Sequence, residues 1–338
     1  MIPHNLYTIG TRGSALALAQ AYQIKELLEK AHRTCRFEIK IIKTTGDKRQ
    51  DLSLTKVTQS TKGLFTKELE VALLRRKIDL AVHSLKDLPT DLPGGLILGA
   101  VTKREDAGDY LITKSPGGLK ALPSGSTVAT SSLRRKVQLQ FARPDLQIVE
   151  IRGNVETRLE KLCENPEIHA LMLACAGMNR LGYRFVDGKL DATKIQRSQS
   201  EISRIQNPWV AAGGPGMPPA RAEVLYGERL PVEMMLPAVG QAAIGIETRD
   251  GDERVAGLME KISHFATLHA VMAERSFLRA LGGGCQVPLA AHAQCAEGKL
   301  HLQAVVFDPD GTHRRAGEKN GDAKEGETLG AELATELK

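Results

Sequence analysis

Three groups of residues in this sequence have types and spacing that could do chemistry. The first is a set of arginines. Arg134, Arg135, Arg143, Arg152 and Arg158 lie within 25 residues of one another. Thr130-Ser131-Ser132-Leu133 leads into Arg134 and Arg135, and Ile151-Arg152-Gly153-Asn154 leads into Arg158. Both stretches follow a strand-like run and open a helical pattern. At such junctions backbone N–H groups, hydroxyls and the helix dipole favour anions. They are also where open α/β sheets bind ligands. Arginine adds a planar fork that matches carboxylate or phosphate, and the spacing leaves both open. No GxxxxGK[ST] run occurs, so triphosphate binding is not supported. Thr11-Arg12-Gly13-Ser14 repeats the arrangement near the amino terminus, with Ser14 a candidate helix cap.

The second group is Ala81-Val82-His83-Ser84-Leu85-Lys86-Asp87. An apolar strand here delivers Lys86 and Asp87 to its carboxyl end. A carboxylate in that position can exchange a proton and stabilise a developing cation, with its balance set by burial and nearby positive charge. A surface Lys-Asp pair before Pro89 explains the segment equally well. His83 is expected to pack at the strand end rather than act as a base. The third group is Cys285, preceded by Gly282, Gly283 and Gly284. Those glycines permit close backbone approach and unusual dihedrals around a thiol. Such a thiol serves as nucleophile, metal ligand or attachment point, or as none of them. His264 and His269 lack the spacing of a helical metal pair, which weakens a cysteine-histidine hydrolase.

The elements that must position these groups are legible in the apolar periodicity. Leu6–Ile9, Phe37/Ile39/Ile41 and Ile78–Val82 read as strands. Ala17, Ala21, Ile24 and Leu28 make one helical face, and Phe65, Leu69, Ala72 and Leu73 another. This βαβα grammar predicts a parallel sheet covered on both faces. A second set follows, with strands at Thr127–Thr130, Leu146–Ile151 and Ala170–Ala174. Its helices fall at Leu133/Val137/Phe141 and Val155/Leu159/Leu162. Two such sets predict two doubly wound α/β domains with a cleft between them. Residues 183–235 break the pattern with Asn207-Pro208, Gly213-Gly214-Pro215-Gly216 and Pro218-Pro219, and read as a long surface insertion holding Trp209. Beyond Leu236 come the apolar run Ala242–Ile246 and a helix through Leu268, Val271, Leu278 and Leu281. Strands at Leu289–Gln294 and Leu300–Phe307, a turn at Asp308-Pro309-Asp310-Gly311 and a short closing helix predict a small α+β domain. The expected division is 1–102 with 243–260, then 108–236, then 265–338.

At 338 residues the chain is too long for one ordinary core, and 42% hydrophobic with 25% charged residues is globular composition. A net charge of +6 suits small acidic ligands about as well as nucleic acid. Seven Phe, five Tyr and one Trp are too few for a base-stacking platform. The five cysteines are odd in number and include no CxxC pair, against a disulfide scaffold or structural zinc site. With no signal-peptide pattern and no apolar run long enough to span a bilayer, a cytoplasmic, non-membrane protein is expected.

Taken together, seven segments resemble the hydroxymethylbilane synthase (porphobilinogen deaminase) family of tetrapyrrole biosynthesis. They are Thr11–Ala17, Lys62–Glu70, Ala81–Asp87, Thr130–Arg135, Arg152–Asn154, Leu236–Gln241 and Gly283–Pro288, in the family's order over most of the chain. The resemblance implies two domains like type II periplasmic binding proteins plus a smaller third. It implies a dipyrromethane cofactor joined to Cys285 by a thioether. On that primer, successive porphobilinogen molecules condense with loss of ammonia, and hydrolysis then releases hydroxymethylbilane. Carried over residue by residue, Asp87, Lys86 and Arg12 are catalytic. Cys285, Ser14, Ser132, Arg134, Arg135, Asp87 and Lys86 hold the cofactor. Arg12, Arg152, Arg158, Arg180 and Gln241 bind substrate. A monomer with no metal is implied. The loop before Lys62 is two residues longer than the family pattern, so Lys56 is given no role. The competing readings are a non-enzymatic anion-binding protein of periplasmic-binding type and a nucleic-acid binder acting through the arginines, with steep salt dependence.

Overall fold

Apolar runs alternating with amphipathic stretches form three sheets and their covering helices in a computed structural model, which describes residues 5–48, 63–191, 224–282, 288–308 and 311–338. The chain divides into two compact units, residues 1–107 with 236–338 and residues 108–235. The first unit opens with β1 (Leu6–Thr11), α1 (Ala15–Ala31), β2 (Arg36–Ile41) and α2 (Thr45–Lys48). It continues through α3 (Lys67–Leu74), β3 (Leu80–Ser84) and β4 (Leu96–Val101). Ala21, Ile24 and Leu28 fall on one face of α1 and are fully buried, as their spacing requires. Ser14 caps that helix, its hydroxyl accepting from Ala17 N at 3.3 Å. β1 pairs in parallel with β2 on one side and β3 on the other.

The second unit contains β5 (Asp109–Thr113), α4 (Gly118–Ala121), β6 (Thr127–Ala129), α5 (Leu133–Ala142) and β7 (Gln147–Val149). After these come α6 (Val155–Glu164), β8 (Ala170–Ala174), α7 (Cys175–Arg180), β9 (Arg184–Val186), β10 (Lys189–Asp191) and β11 (Tyr226–Arg229). Its sheet has the order β7-β6-β8-β5-β11-β10-β9. β6 is parallel to β7 and β8, whereas β5 is antiparallel to β8 and β11.

The chain then returns to the first unit as β12 (Ile244–Arg249), α8 (Glu253–Ile262), α9 (Phe265–Ala280), β13 (Leu289–Ala296), β14 (Lys299–Phe307), β15 (Arg314–Asp322) and α10 (Gly326–Leu337). β12 inserts antiparallel between β3 and β4, giving the order β2-β1-β3-β12-β4. Both large sheets therefore share one plan, in which three parallel strands are followed by one running backwards. This corrects the expectation of an all-parallel sheet. Residues 240–243 enter at the carboxyl end of β3, where Leu85 N donates to Ala243 O at 3.0 Å, so the strand that follows runs back along it.

Other expectations also change. Residues 184–191 and 226–229 of the expected surface insertion are strands that extend the second sheet, because β11 finds the open edge of β5. Leu230 and Met235, in the same stretch, are buried in that unit's core. Residues 192–223, with Trp209, lie outside the described residues. Phe141, read as part of a buried face, is 61% exposed at the end of α5. β15 has no apolar stripe to announce it; its half-buried face is Arg315, Gly317, Lys319 and Gly321. Glycines at 317 and 321 leave room for α10, and a Cβ at Gly321 would lie 2.7 Å from Leu329. Leu329 and Leu333 of α10 join Phe277 of α9 in one core, so the closing helix anchors the sheet. Pro309 and Asp310 of the expected turn lie outside the described residues, but Gly311 N donates to Asp308 O at 2.8 Å and β14 and β15 pair antiparallel.

Candidate active site

In the first unit, the carboxyl ends of β1 and β3 carry the predicted residues. β3 is buried through His83 and ends in a single 3-10 turn, Leu85–Asp87. Leu85 points into the core at 1% exposure, which leaves Lys86 and Asp87 exposed. Among the described residues the Asp87 carboxylate has no hydrogen-bond or ion-pair partner. The turn is held from beneath by Gly240, whose φ of +69° suits glycine. A Cβ there would lie 3.3 Å from the backbone of Leu85 and of Lys86. Behind the turn, His83 Nε2 lies 3.0 Å from Glu247 Oε2, both buried. His83 is thus a core partner, as its strand position predicted. Glu70 is buried nearby, and burial first, then Glu247, raises its pKa.

Arg12, at the end of β1, donates from Nε and Nη2 to Asp47 Oδ1 at 3.1 and 2.6 Å. Its guanidinium lies 4.1 Å from the centroid of the Phe65 ring. Asp47 also accepts from Thr44 N and Oγ1 at 3.2 and 2.7 Å. Burial works to raise the Asp47 pKa, but Arg12 and Thr44 outweigh it and hold the carboxyl below its ordinary value. Arg12 is therefore an oriented, three-quarters buried cation.

In the second unit the parallel strands β6, β7 and β8 end in Thr130–Ser132, Glu150–Asn154 and the start of α7. Ser132 caps α5, accepting from Arg135 N at 3.4 Å, and Asn154 caps α6, accepting from Thr157 N at 3.0 Å. Arg134 Nη2 and Arg135 Nη2 each donate to one oxygen of Asp109 at 2.7 Å. Arg135 Nη1 also donates to Met172 O at 3.1 Å. All three side chains are buried, so the structure places Arg134 and Arg135 around an internal carboxylate rather than on an open face. Burial would raise the Asp109 pKa, but the two guanidiniums hold it far below the carboxylate range. Burial in turn lowers the Arg134 pKa, against the pull of Asp109. Arg152 is only a quarter exposed and lies 3.6 Å from Glu150. Arg158 Nε donates to Gly153 O at 2.8 Å, while Arg180 ends α7.

Gln241 is 1% exposed and donates from Nε2 to Ala107 O at 2.7 Å. That bond ties together the two segments at which the chain leaves and re-enters the first unit, 102–107 and 236–243. Beside it lies a node that the sequence did not announce. Arg104 donates to both oxygens of the fully buried Glu274 at 2.6 and 3.2 Å, and from Nε to Gln241 O at 2.8 Å. Glu274 further accepts from Gly240 N at 2.7 Å and Ala293 N at 2.8 Å. Burial opposes ionisation of Glu274, yet Arg104 and His292 bring its pKa down to about 2. Asp109 and Glu274 carry one available signal, an acid set within an otherwise apolar strand or helix face. Cys285, with Gly283, Gly284, Gln286 and Val287, lies outside the described residues, as does the stretch before Gly63 that holds Lys56 and Lys62.

Two family models match the chain. "Porphobilinogen deaminase, dipyromethane cofactor binding domain" matches residues 7–212, and "Porphobilinogen deaminase, C-terminal domain" matches residues 268–338. A porphobilinogen deaminase of Desulforudis audaxviator is 44% identical over 97% of this chain and 93% of the relative. One from Paracoccus denitrificans is 41% identical over 99% of this chain and 95% of its own length. Among solved structures, an ABC transporter from Parabacteroides distasonis matches with a TM-score of 0.38 and 10% identity over 82% of this chain and 74% of that one. That likeness is too low to add to what the sheet topology itself shows.

Proposed function

Because the chain belongs to the porphobilinogen deaminase family, we propose that it is a hydroxymethylbilane synthase, a transferase that condenses four porphobilinogen molecules head to tail with loss of ammonia and releases hydroxymethylbilane by hydrolysis. The observation that carries the catalytic assignment is Asp87. It is an exposed carboxylate at a strand's carboxyl end, beside Lys86, on a turn that Leu85 and Gly240 hold in place. Porphobilinogen offers a pyrrole N–H, two carboxylates and an aminomethyl group whose departure as ammonia leaves a cation. An ionised Asp87 accepts the pyrrole N–H and opposes that cation's charge. It can then take the proton that the attacked pyrrole carbon sheds once the new carbon–carbon bond forms. Arg12, held by Asp47 and Phe65, suits a substrate carboxylate because its fork is already oriented.

The family's dipyrromethane cofactor fits the donor set of this chain. Its acetate and propionate groups call for several cations and N–H donors. Ser14 and Lys86 in the first unit, and Ser132, Arg152, Arg158 and Arg180 in the second, lie at or near strand and helix ends. Arg134 and Arg135, assigned to the cofactor by the family pattern, are engaged by Asp109 and are given a positioning part in this donor set. When bound, the cofactor supplies the pyrrole carbon at which chain growth begins. We assign its thioether anchor to Cys285, and substrate carboxylates to Arg12, Arg152, Arg158 and Arg180. Gln241 is assigned a supporting part, since its amide nitrogen donates to Ala107 O. Separate cores beneath the five-stranded and three-stranded sheets support a division into 1–102 with 243–260, 108–236 and 265–338. We further propose a cytoplasmic monomer that binds neither nucleic acid nor membrane. Pairing of Arg134 and Arg135 with Asp109 favours a small-ligand role over a nucleic-acid face, and no described helix is long and apolar enough to cross a membrane.

Intact-mass measurement with peptide mapping tests the cofactor assignment. A dipyrromethane adduct on Cys285 is expected. A fully active protein of unmodified mass would remove Cys285 from this role.

A further inference from the structure

The first unit contains a cavity of about 620 Å³ on the side of the Asp87 turn that leads away through Leu88 and Pro89. Its floor is apolar, with Leu92, Leu96, Leu268 and Met272. Its charged lining is Arg275, Arg279 and Lys324, with His269 alongside and the carboxylates of Asp91 and Glu327. That volume lies within the range of roughly 300–1,000 Å³ typical of small-molecule sites, which are apolar with a few placed polar groups.

Arg275 is the unusual member. It is only 4% exposed, yet among the described residues no carboxylate lies within ion-pair distance of it. Its guanidinium donates to Leu88 O at 3.0 Å and Pro89 O at 2.6 Å, two neutral carbonyls. Burial, and after it the neighbouring Arg279, bring the Arg275 pKa down to about 10. A buried cation held only by carbonyl dipoles is costly without a counter-charge. Asp91, Glu247 and Glu327 attract Arg275 only from beyond ion-pair distance. Asp91 and Glu327 are exposed and lie 3.1 and 3.8 Å from Arg279, and Glu247 is engaged by His83. Three cations and two carboxylates thus line the cavity, and the buried cation, Arg275, is in ion-pair contact with neither carboxylate.

We propose that this cavity is a second ligand site, taking a small organic oxyanion whose carboxylate or phosphate head meets Arg275 and whose apolar body lies on Leu92, Leu268 and Met272. A guanidinium fork pairs with either head group. The site has no part in the condensation described above. Its consequence for turnover rests on the proposed role of Asp87, since Arg275 holds the two carbonyls that directly follow that residue. Binding is therefore measured apart from activity.

The holoenzyme is titrated calorimetrically with 4-bromobenzoate and with phenyl phosphate, and the bromine is located by anomalous diffraction. Saturable binding of at least one probe is expected, with a Kd of about 1 mM or tighter, and the bromine, para to the carboxylate, over Leu92, Leu268 and Met272 at the end of the ring away from Arg275. Preference for one probe identifies the head group as carboxylate or phosphate. Met272→Trp fills the cavity from α9, and an Arg279→Ala/Lys324→Ala double variant removes the other cations while sparing Arg275. Each should weaken binding by about tenfold or more, the loss expected when a contact of ~1.4 kcal/mol disappears. The proposal is overturned if neither probe saturates, if both variants bind like the parent, or if bromine is found only elsewhere. Because none of these readouts uses turnover, failure here leaves the catalytic reading standing, and an inactive Asp87 assignment leaves this one standing.

Discussion

The two units present their charged residues in opposite ways. In the first, the carboxyl end of β3 exposes Asp87 on a turn anchored by the buried Leu85, and no described residue pairs with its carboxylate. In the second, the acid is Asp109, fully buried and shared by Arg134 and Arg135. One carboxylate is left open to react; the other makes two arginines rigid. The difference follows from position. Asp87 lies beyond its strand, on the turn after Ser84, whereas Asp109 opens β5 in the middle of a sheet, between β8 and β11. A carboxylate there must be paired or neutral.

The largest expected effect breaks the comparison directly. Asp87→Asn should lower the rate of hydroxymethylbilane formation by roughly 10²–10⁴-fold, the span of general acid–base contributions, with an unchanged unfolding midpoint. A large loss of stability with near-normal turnover would reverse the roles assigned to the two acids. Asp109→Ala should do the converse, destabilising the protein by roughly 3–5 kcal/mol because two buried guanidiniums lose their counter-charge. Denaturant titration reads that loss.

The same contrast has a pH signature. Asp109 and Glu274 have folded-state pKa values below those of the unfolded chain, Glu274 at about 2. Their contribution is fully present above the ordinary carboxylate values near 4. It is lost as pH falls below them towards the folded-state values. Unfolding midpoints should therefore drop steeply between about pH 4 and pH 2, and Asp109→Asn should flatten part of that drop. An unaltered acid profile in the variant would mean that the triad does not carry it.

Smaller effects sharpen the picture. Arg152 is less buried than Arg134 and Arg135, so Arg152→Ala should weaken substrate or cofactor carboxylate binding by roughly 1.5–3 kcal/mol, as for hydrogen bonds to charged groups, with little change in unfolding. KM and the yield of cofactor-loaded protein are the measurements. Gly240→Ala places a side chain at positive φ against the backbone of Leu85 and Lys86, for a cost of about 1–2 kcal/mol. Because that contact sets the Asp87 turn, kcat should fall with it. A stability loss with kcat intact would separate the turn from its support.

Much of the scaffold was legible in local patterns. The helix of Ala21, Ile24 and Leu28, the cap at Ser14 and the strand before Asp87 all depend on near neighbours, and each is found where its pattern places it. What escaped were elements defined by distant partners. β15 lacks an apolar stripe, because Gly317 and Gly321, which accommodate α10, stand where large side chains would. The strands at 184–191 and 226–229 exist because β5 has an edge to fill. Arg134 and Arg135 read as open anion binders, since the acid that engages them lies 25 and 26 residues away in sequence.

The sequence by itself picked out the segments proposed to carry chemistry, most of the strands and helices that hold them and, through seven ordered motifs, the family. Those features are encoded in spacing along the chain. Tertiary structure alone decided which charges are open and which are sealed. The environment of a charge depends on what packs around it from afar. Asp109 beneath two arginines, Glu274 beneath Arg104 and Arg275 against two carbonyls are all settled by partners that local sequence does not name.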